Sequence, residues 1–287
     1  AEVVALVGAT PIFVDVDEDT FNIDPVKLEA SIQQTIKEGH YHPRAIIPVD
    51  LFGLPANYPA IEKIAEIYNL LILEDGAQGF GGRIGDRKAC SFGHAAATSF
   101  FPAKPLGCYG DGGAIFTDDD DLAEKLKSIR MHGKGTSRYD NVRIGLNSRL
   151  DTIQAAILQV KLRAFIDYEL EKVNQIANIY TKRLKDIVTT PVIPDGYYSS
   201  WAQYTIQLEN KKQRDALQEK LKEHGIPTMI YYSKPMHKQI AFDDITSDIN
   251  DLSVTNNLCE RVLSLPMHPY LEEKSIAEIC ENIKRGI

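Results

Sequence analysis

Short apolar runs alternate with stretches of helical period through the first half of the chain. Residues 11–16, 45–49 and 70–73 are rich in Ile, Val and Leu and predict strands. Two helix signatures lie between them. Asp24 followed by Pro25 sets an N-cap before a proline at the first helical position, which opens a helix through about Lys37. Asn57 caps a second helix over residues 58–68, where Ile61, Ile64, Ala65 and Tyr68 recur at helical spacing. Strands alternating with helices in this way predict crossover connections and a mostly parallel sheet covered on both faces.

The pattern changes beyond residue 90. Residues 95–100 and 113–117 read as short strands around a Gly-rich turn, and a helix follows at 122–130. Residues 131–143 are rich in Gly, charge and Tyr and read as a mobile loop. From Asp151 to about Ile187 runs a long helical stretch with few breakers, expected to connect two domains and to bend. The remainder reads as α+β. It has a strand at 203–208, a helix at 214–224 stopped by Gly225, a strand at 228–232, and helices near 252–262 and 275–285. The expected fold is therefore α/β: a large domain over 1–165 and a smaller C-terminal α+β domain over 166–287.

Bulk properties exclude some functions. The formal net charge of −8 argues against nucleic acid or an anionic membrane as main partner, because both demand a basic surface. No apolar run approaches the roughly 20 residues needed to cross a bilayer. The four cysteines form no CxxC pair and have no histidine at ligand spacing, so they read as free thiols in a reducing, cytoplasmic compartment, with no metal. Gly79-Phe80-Gly81-Gly82-Arg83-Ile84-Gly85 has GxGxxxG spacing rather than the dinucleotide GxGxxG, and Arg83 interrupts it before any helix begins. No GxSxG elbow or Ser-His-Asp order supports a hydrolase.

Two segments carry the candidate chemistry: Glu74-Asp75-Gly76-Ala77-Gln78, and Ser99-Phe100-Phe101-Pro102-Ala103-Lys104. Together they offer a carboxylate, an amide, a hydroxyl and an amine, the groups needed to hold and use pyridoxal 5'-phosphate (PLP). Lys104 lies between Pro102 and Pro105-Leu106-Gly107, where the backbone is restricted. An uncharged lysine amine attacks an aldehyde, and a fixed, partly desolvated setting favours that form. Asp75 ends an apolar strand, where ligands of open α/β sheets bind, and a carboxylate there can keep a pyridine nitrogen protonated. Taken singly, each residue has a plainer reading: a turn-capping Asp75, a loop amide at Gln78, a buried hydroxyl at Ser99, a solvated Lys104. The order and spacing of the set carry the stronger one.

With these segments, the chain resembles the DegT/DnrJ/EryC1/StrS family of PLP-dependent sugar aminotransferases. The resemblance extends to Gly8-Ala9-Thr10-Pro11, Gly110-Asp111-Gly112-Gly113, Gly145-Leu146-Asn147-Ser148-Arg149-Leu150-Asp151 and Leu263-Ser264-Leu265-Pro266-Met267-His268-Pro269. It implies fold-type I architecture, with Lys104 carrying PLP and acting as proton carrier, Asp75 on the ring nitrogen, Gln78 on the ring or its 3'-oxygen, and Ser99 on the phosphate. It further implies that Asn147 reaches the phosphate of a neighbouring subunit's PLP, so that a homodimer shares its sites. Arg149 suits a substrate carboxylate, and Tyr231 and His237 lie in substrate-facing segments of the family. Tyr231-Tyr232 departs from the family's usual His-Tyr. A branch of sugar dehydratases carries histidine in place of the lysine, and Lys104 favours aminotransfer. The implied substrates are a keto-sugar nucleotide and an amino donor, glutamate. The segment 139–151 most resembles enzymes aminating C3 of UDP-linked 2-acetamido-3-keto-glucuronate. The alternatives are C3 or C4 amination of a 6-deoxy keto-sugar and a non-catalytic PLP-binding regulator. The chain opens at Ala1-Glu2-Val3-Val4 without Met, as if inside a helix, and the family's N-terminal phosphate-binding turn and ring-stacking aromatic are expected to be missing.

Overall fold

The computed structural model describes residues 1–137, 139–244 and 250–287. It opens with a short helix, α1 (Glu2–Leu6), and a second, α2 (Pro25–Glu38), whose Asp24 carboxylate accepts from the Val26 and Lys27 N–H groups as the capping signature predicts. Strand β1 (Ala45–Ile46) leads through α3 (Tyr58–Tyr68) to β2 (Leu71–Asp75), and Asn57 caps α3 through Ala60 N–H. A hairpin of β3 (Arg83–Ile84) and β4 (Arg87–Lys88) precedes β5 (Ala95–Ser99) and β6 (Gly113–Phe116). The main sheet has the order β1-β2-β5-β6. The first three strands are parallel, and β6 is antiparallel to β5. The α/β expectation of a mostly parallel sheet therefore holds, with a reversed edge.

Helix α4 (Asp120–Arg130) follows, capped by Asp119. The long helical stretch is divided: α5 (Thr152–Ala164) passes through a π-helical turn (Phe165–Glu169) into α6 (Leu170–Leu184). Phe165 is buried here and packs against Phe80, with ring centroids 6.0 Å apart. Gly81 lies so close beneath it that a Cβ would come within 2.6 Å of its ring. β7 (Tyr197–Tyr198) joins β3, and β8 (Tyr204–Gln207) leads to α7 (Lys211–Glu223). The chain ends with α8 (Ser253–Arg261), β9 (Val262–Leu265), which pairs antiparallel with β8, and α9 (Glu273–Gly286).

Three expected elements are corrected. Residues 11–16 are not a strand: Val16 alone bridges Ile23. The segment is bonded elsewhere, with Phe13 C=O accepting from Asn250 and Asp15 accepting from Val254, Thr255 and Lys27. Residues 228–232 form only a bridge between Met229 and Ser264. The partner strand of β8 is β9, which begins where the expected 252–262 helix ends and was not read as a strand. The 45–49 run pairs in two pieces, because Pro48 has no N–H to give; its carbonyl accepts from Asp75 N–H at 2.9 Å, and Val49 bridges Asp75.

Two apolar cores dominate. One lies under the sheet and includes Leu28, Ile46, Ile61 and Ile72. Within it Tyr58 stacks on Phe92 at 4.2 Å between centroids. The other packs α6, α7 and α9 on the β8–β9 pair through Tyr180, Leu184, Ile206, Leu217, Leu263 and Ile283. Each such side chain contributes about 1.5–3 kcal/mol of burial. Among the described residues no helix is long and apolar enough to cross a membrane, and no group of His, Cys, Asp and Glu side chains could hold a metal ion.

Candidate functional site

Because β1, β2 and β5 run parallel, their carboxyl ends share one edge of the sheet. Asp75 is the last residue of β2 and Ser99 the last of β5, with Asp75 in register with Ala97. The turn leaving β2 is pinned to β5 by Gly76 N–H donating to Ala97 C=O at 2.9 Å, and by Thr98 Oγ1 donating to Gly76 C=O at 2.8 Å. Half-buried Asp75 accepts Ala77 N–H on Oδ1 at 3.1 Å, and its Oδ2 makes no bond to a described residue. Ser99 Oγ accepts Phe101 N–H at 3.2 Å, which leaves its hydroxyl proton available to donate.

Lys104 follows in a turn held shut by Phe100 N–H to Gly112 C=O and Cys108 N–H to Phe100 C=O, each 2.7 Å. Its own N–H donates to Phe101 C=O at 2.9 Å, and the residue is half-buried. No carboxylate among the described residues pairs with its amine. Gln78 is buried at 7% exposure. Its Oε1 accepts Phe52 N–H at 2.6 Å, its Nε2 donates to the Tyr232 hydroxyl at 3.3 Å, and its carbonyl accepts from Ser200 Oγ at 2.8 Å.

This donor set fits PLP. It offers an amine without an ion pair, a carboxylate with an uncommitted oxygen, and a hydroxyl with a proton to give, from two adjacent strand ends and the turn after the second.

Of the remaining sequence-chosen residues, the structure brings none into a hydrogen bond or ion pair with Asp75, Ser99 or Lys104 among the described residues. Tyr231 packs with the Phe21–Phe52 cluster, so the hydroxyl that meets Gln78 belongs to its neighbour Tyr232. His237 sits in a 3-10 turn, with Nε2 3.1 Å from Asn256 Oδ1 and its ring 6.3 Å from Phe13. Asn147 bridges Met131 and is exposed, as is Arg149. The loop at 131–143 folds back on itself through a Lys134–Asn141 bridge; its Arg138 lies outside the described residues.

Sequence reasoning passed over two carboxyl groups beneath the turn. Asp50 and Glu74 are both fully buried. Asp50 Oδ1 accepts Ala56 N–H at 3.1 Å and the Tyr58 hydroxyl at 2.8 Å. Glu74 accepts Cys90 N–H on one oxygen at 2.5 Å and Phe92 N–H on the other at 2.8 Å. Burial, then the charge of Glu74, pushes the Asp50 carboxyl well above its usual range. Burial and the same carboxylates push the Cys90 thiol up to about 12. The signal available in sequence was a Glu inside an apolar strand and an Asp ending another.

Comparison with known proteins agrees with this fold. The model of the DegT/DnrJ/EryC1/StrS aminotransferase family matches residues 1–284. The chain is 45% identical over 281 residues to UDP-2-acetamido-2-deoxy-3-oxo-D-glucuronate aminotransferase of Pseudomonas aeruginosa, covering 98% of this chain and 74% of that protein. It is 43% identical to a pleiotropic regulatory protein of Geobacillus stearothermophilus, covering 98% of this chain and 73% of that one. The crystal structure of a DegT DnrJ EryC1 StrS aminotransferase from Brucella abortus superposes with a TM-score of 0.96 at 54% identity, covering 99% of this chain and 75% of that one. With the fold and the match over residues 1–284 in agreement, the chain belongs to the DegT/DnrJ/EryC1/StrS family of PLP-dependent nucleotide-sugar aminotransferases.

Proposed function

We propose that this aminotransferase moves an amino group from glutamate to C3 of a UDP-linked 2-acetamido-3-keto-glucuronate. The observation that carries the aminotransfer reading is that Asp75 and Ser99 end the adjacent parallel strands β2 and β5, with Lys104 in the turn that follows β5. The sugar assignment is supported by the 45% identity to the P. aeruginosa enzyme of that name and by the exposed Arg149, whose planar fork suits a carboxylate.

PLP, when bound, supplies an electron sink for the pair left when a C–H bond next to nitrogen breaks. The chain's residues would hold and serve it. Asp75 keeps the ring nitrogen protonated through its uncommitted oxygen. Ser99 would donate its hydroxyl to the phosphate, and Gln78 would contact the ring or its 3'-oxygen. Lys104 would hold the cofactor through Nζ, and the same Nζ would move the proton between the donor α-carbon and the other end of the transfer. Tyr231 and His237 line the sugar side. Domains divide at about residue 165, within the π-helical turn.

The site is shared in a homodimer, with Asn147 completing the phosphate site of the partner. Support comes from the surface around it: Val142, Ile144, Leu146 and Ile153 are all exposed, Ile144 at 95%. Single exposed apolar residues are ordinary, but a group flanking a candidate ligand residue marks an interface. Four unpaired cysteines fit a reducing cytoplasm.

A second reading is a non-catalytic PLP-binding regulator. The pleiotropic regulatory protein at 43% identity favours it, and the retained Lys104 opposes it. One experiment separates the readings. The protein is loaded with PLP and given glutamate with either the keto-uronate nucleotide or a 6-deoxy keto-sugar nucleotide, and 2-oxoglutarate and amino sugar are measured by mass spectrometry. Amination of the keto-uronate is expected. Preference for the 6-deoxy sugar would move the assignment there. PLP binding without product from either would favour the regulator.

A further inference from the structure

We propose that Asp50 and Glu74 share one proton, carried on Asp50 Oδ2, and that this acid–carboxylate pair is the platform that positions the turn from Asp75 to Gln78. The role of the platform rests on the reading of Asp75 and Gln78 as cofactor-binding residues; the protonation state does not.

The proton assignment follows from donors and acceptors. Both Glu74 oxygens already face backbone N–H donors, from Cys90 and Phe92, so Glu74 is the ionised member. Asp50 Oδ1 is likewise occupied, by Ala56 N–H and the Tyr58 hydroxyl. Asp50 Oδ2 is fully buried and meets no donor. The two side chains are hydrogen-bond partners: burial raises both carboxyls, and this bond raises Asp50 further while working to lower Glu74. Two ionised carboxylates cannot lie together in such a site, and an orphaned oxygen is costly. A proton on Oδ2, donated to Glu74, removes both problems. The other ionisable groups around the pair leave this intact. Tyr58 stays a neutral donor, since burial and Asp50 push its phenol up. Cys90 stays a thiol. Asp75 adds negative charge. Arg87, the nearby cation, is engaged bidentately by Glu62.

The platform argument is steric. Two glycines bracket the turn, and each stands where backbone rests on the pair. A Cβ at Gly79 would come 2.2 Å from Asp50 Oδ2, and one at Gly76 would come 2.6 Å from Cys90 Sγ and 3.7 Å from Glu74 Oε1. The backbones are also joined: Asp50 N–H donates to Asp75 C=O at 3.0 Å. Asp75 and Gln78 are thus held at a height set by the two carboxyl groups. One shared proton leaves a single negative charge beneath Asp75, of the sign that favours a cation at the ring nitrogen Asp75 would hold.

The test uses Asp50→Asn, whose amide keeps the shape, the neutrality and the donor to Glu74. Infrared spectra of the protein without added PLP at pH 8 should contain a protonated-carboxyl C=O band that Asp50→Asn abolishes. In the PLP-loaded protein, the pH midpoint of the bound cofactor's absorbance should move by less than about 0.3 unit in this variant. Loss of a buried negative charge would move it by about one unit or more. Asp50→Ala, which removes the donor, should weaken PLP binding about tenfold or more while Asp50→Asn stays within about twofold. If Asp50→Ala does not fold, Gly79→Ala displaces the turn from the other side and should produce the same weakening. Absence of the band at pH 8, its survival in Asp50→Asn, a one-unit midpoint shift, or equal PLP affinity in all variants would overturn the proposal. Failure of the wild-type protein to bind PLP would instead overturn the cofactor reading, with the infrared result unaffected.

Discussion

At the residue scale, function depends on which atoms remain uncommitted. Asp75 Oδ2 and the Ser99 hydroxyl proton are uncommitted among the described residues, whereas the Gln78 amide already meets Phe52 and Tyr232 and keeps one N–H to give. Replacing Asp75 by Asn keeps the shape and removes the charge. Turnover should fall about 10²-fold or more while PLP binding stays detectable by absorbance, since acid–base and electrostatic terms have that size. A variant within about twofold of wild type would count against the ring-nitrogen role. Arg149→Lys keeps the charge and loses the fork. Its kcat/KM should drop more on a keto-uronate than on a matched 6-deoxy sugar; equal losses would mark Arg149 as structural. The strand-end residues were legible in sequence because an apolar run followed at once by polar groups defines a sheet edge. Tyr232 was not, because nothing in a Tyr-Tyr pair says which ring turns into the Phe21–Phe52 cluster and which hydroxyl meets Gln78.

At the element scale, local signals held where the chain's own atoms close the structure. Asp24 and Asn57 cap their helices through their side chains as read, and Asp119 and Asn210, not read from sequence, do the same. Local signals failed where a distant segment competes. Residues 11–16 have a strand's apolar composition, but Asp15 is drawn to the start of α8, where it accepts Val254 N–H, Thr255 N–H and the Thr255 hydroxyl. Burial works to raise the Asp15 carboxyl. The Lys27 ammonium and the Thr255 and Val254 donors outweigh it and hold the group at about 2, below its ordinary 3.8. A carboxyl depressed on folding contributes stability that is fully present above about pH 4 and lost as the pH falls through about 2. Asp15→Asn should therefore cost about 2 kcal/mol near pH 7 by denaturant melt, and the gap to wild type should close as the pH drops below 4. A gap independent of pH would mean the cost is packing alone. β9 has the same kind of cause: the short run Val262–Leu265 directly follows α8 in sequence, and its pairing with β8, far back in the chain, defines it as a strand.

At the scale of the whole molecule, the parallel order of β1, β2 and β5 gathers the site, and the second core built on α6, α7 and α9 stands beside it. The match along nearly the entire chain was legible because motif order and spacing survive where single motifs are weak. The proposed assembly rests on resemblance and on the exposed apolar surface around Asn147, since no element of one chain reports what meets it in another. Shared sites predict complementation. Lys104→Ala and Asn147→Ala proteins should each be weak alone, and mixing them with subunit exchange should restore one intact site per heterodimer. Exchange verified by mass spectrometry without recovered activity, or a fully active monomer, would exclude shared sites.

The most direct test of the central claim is where the cofactor attaches. The PLP-loaded protein is reduced with borohydride, digested and sequenced by mass spectrometry. A single phosphopyridoxyl group on the peptide carrying Lys104 is the predicted result, with no label and no transamination in Lys104→Ala. Label on another lysine, with turnover retained in Lys104→Ala, would contradict the account.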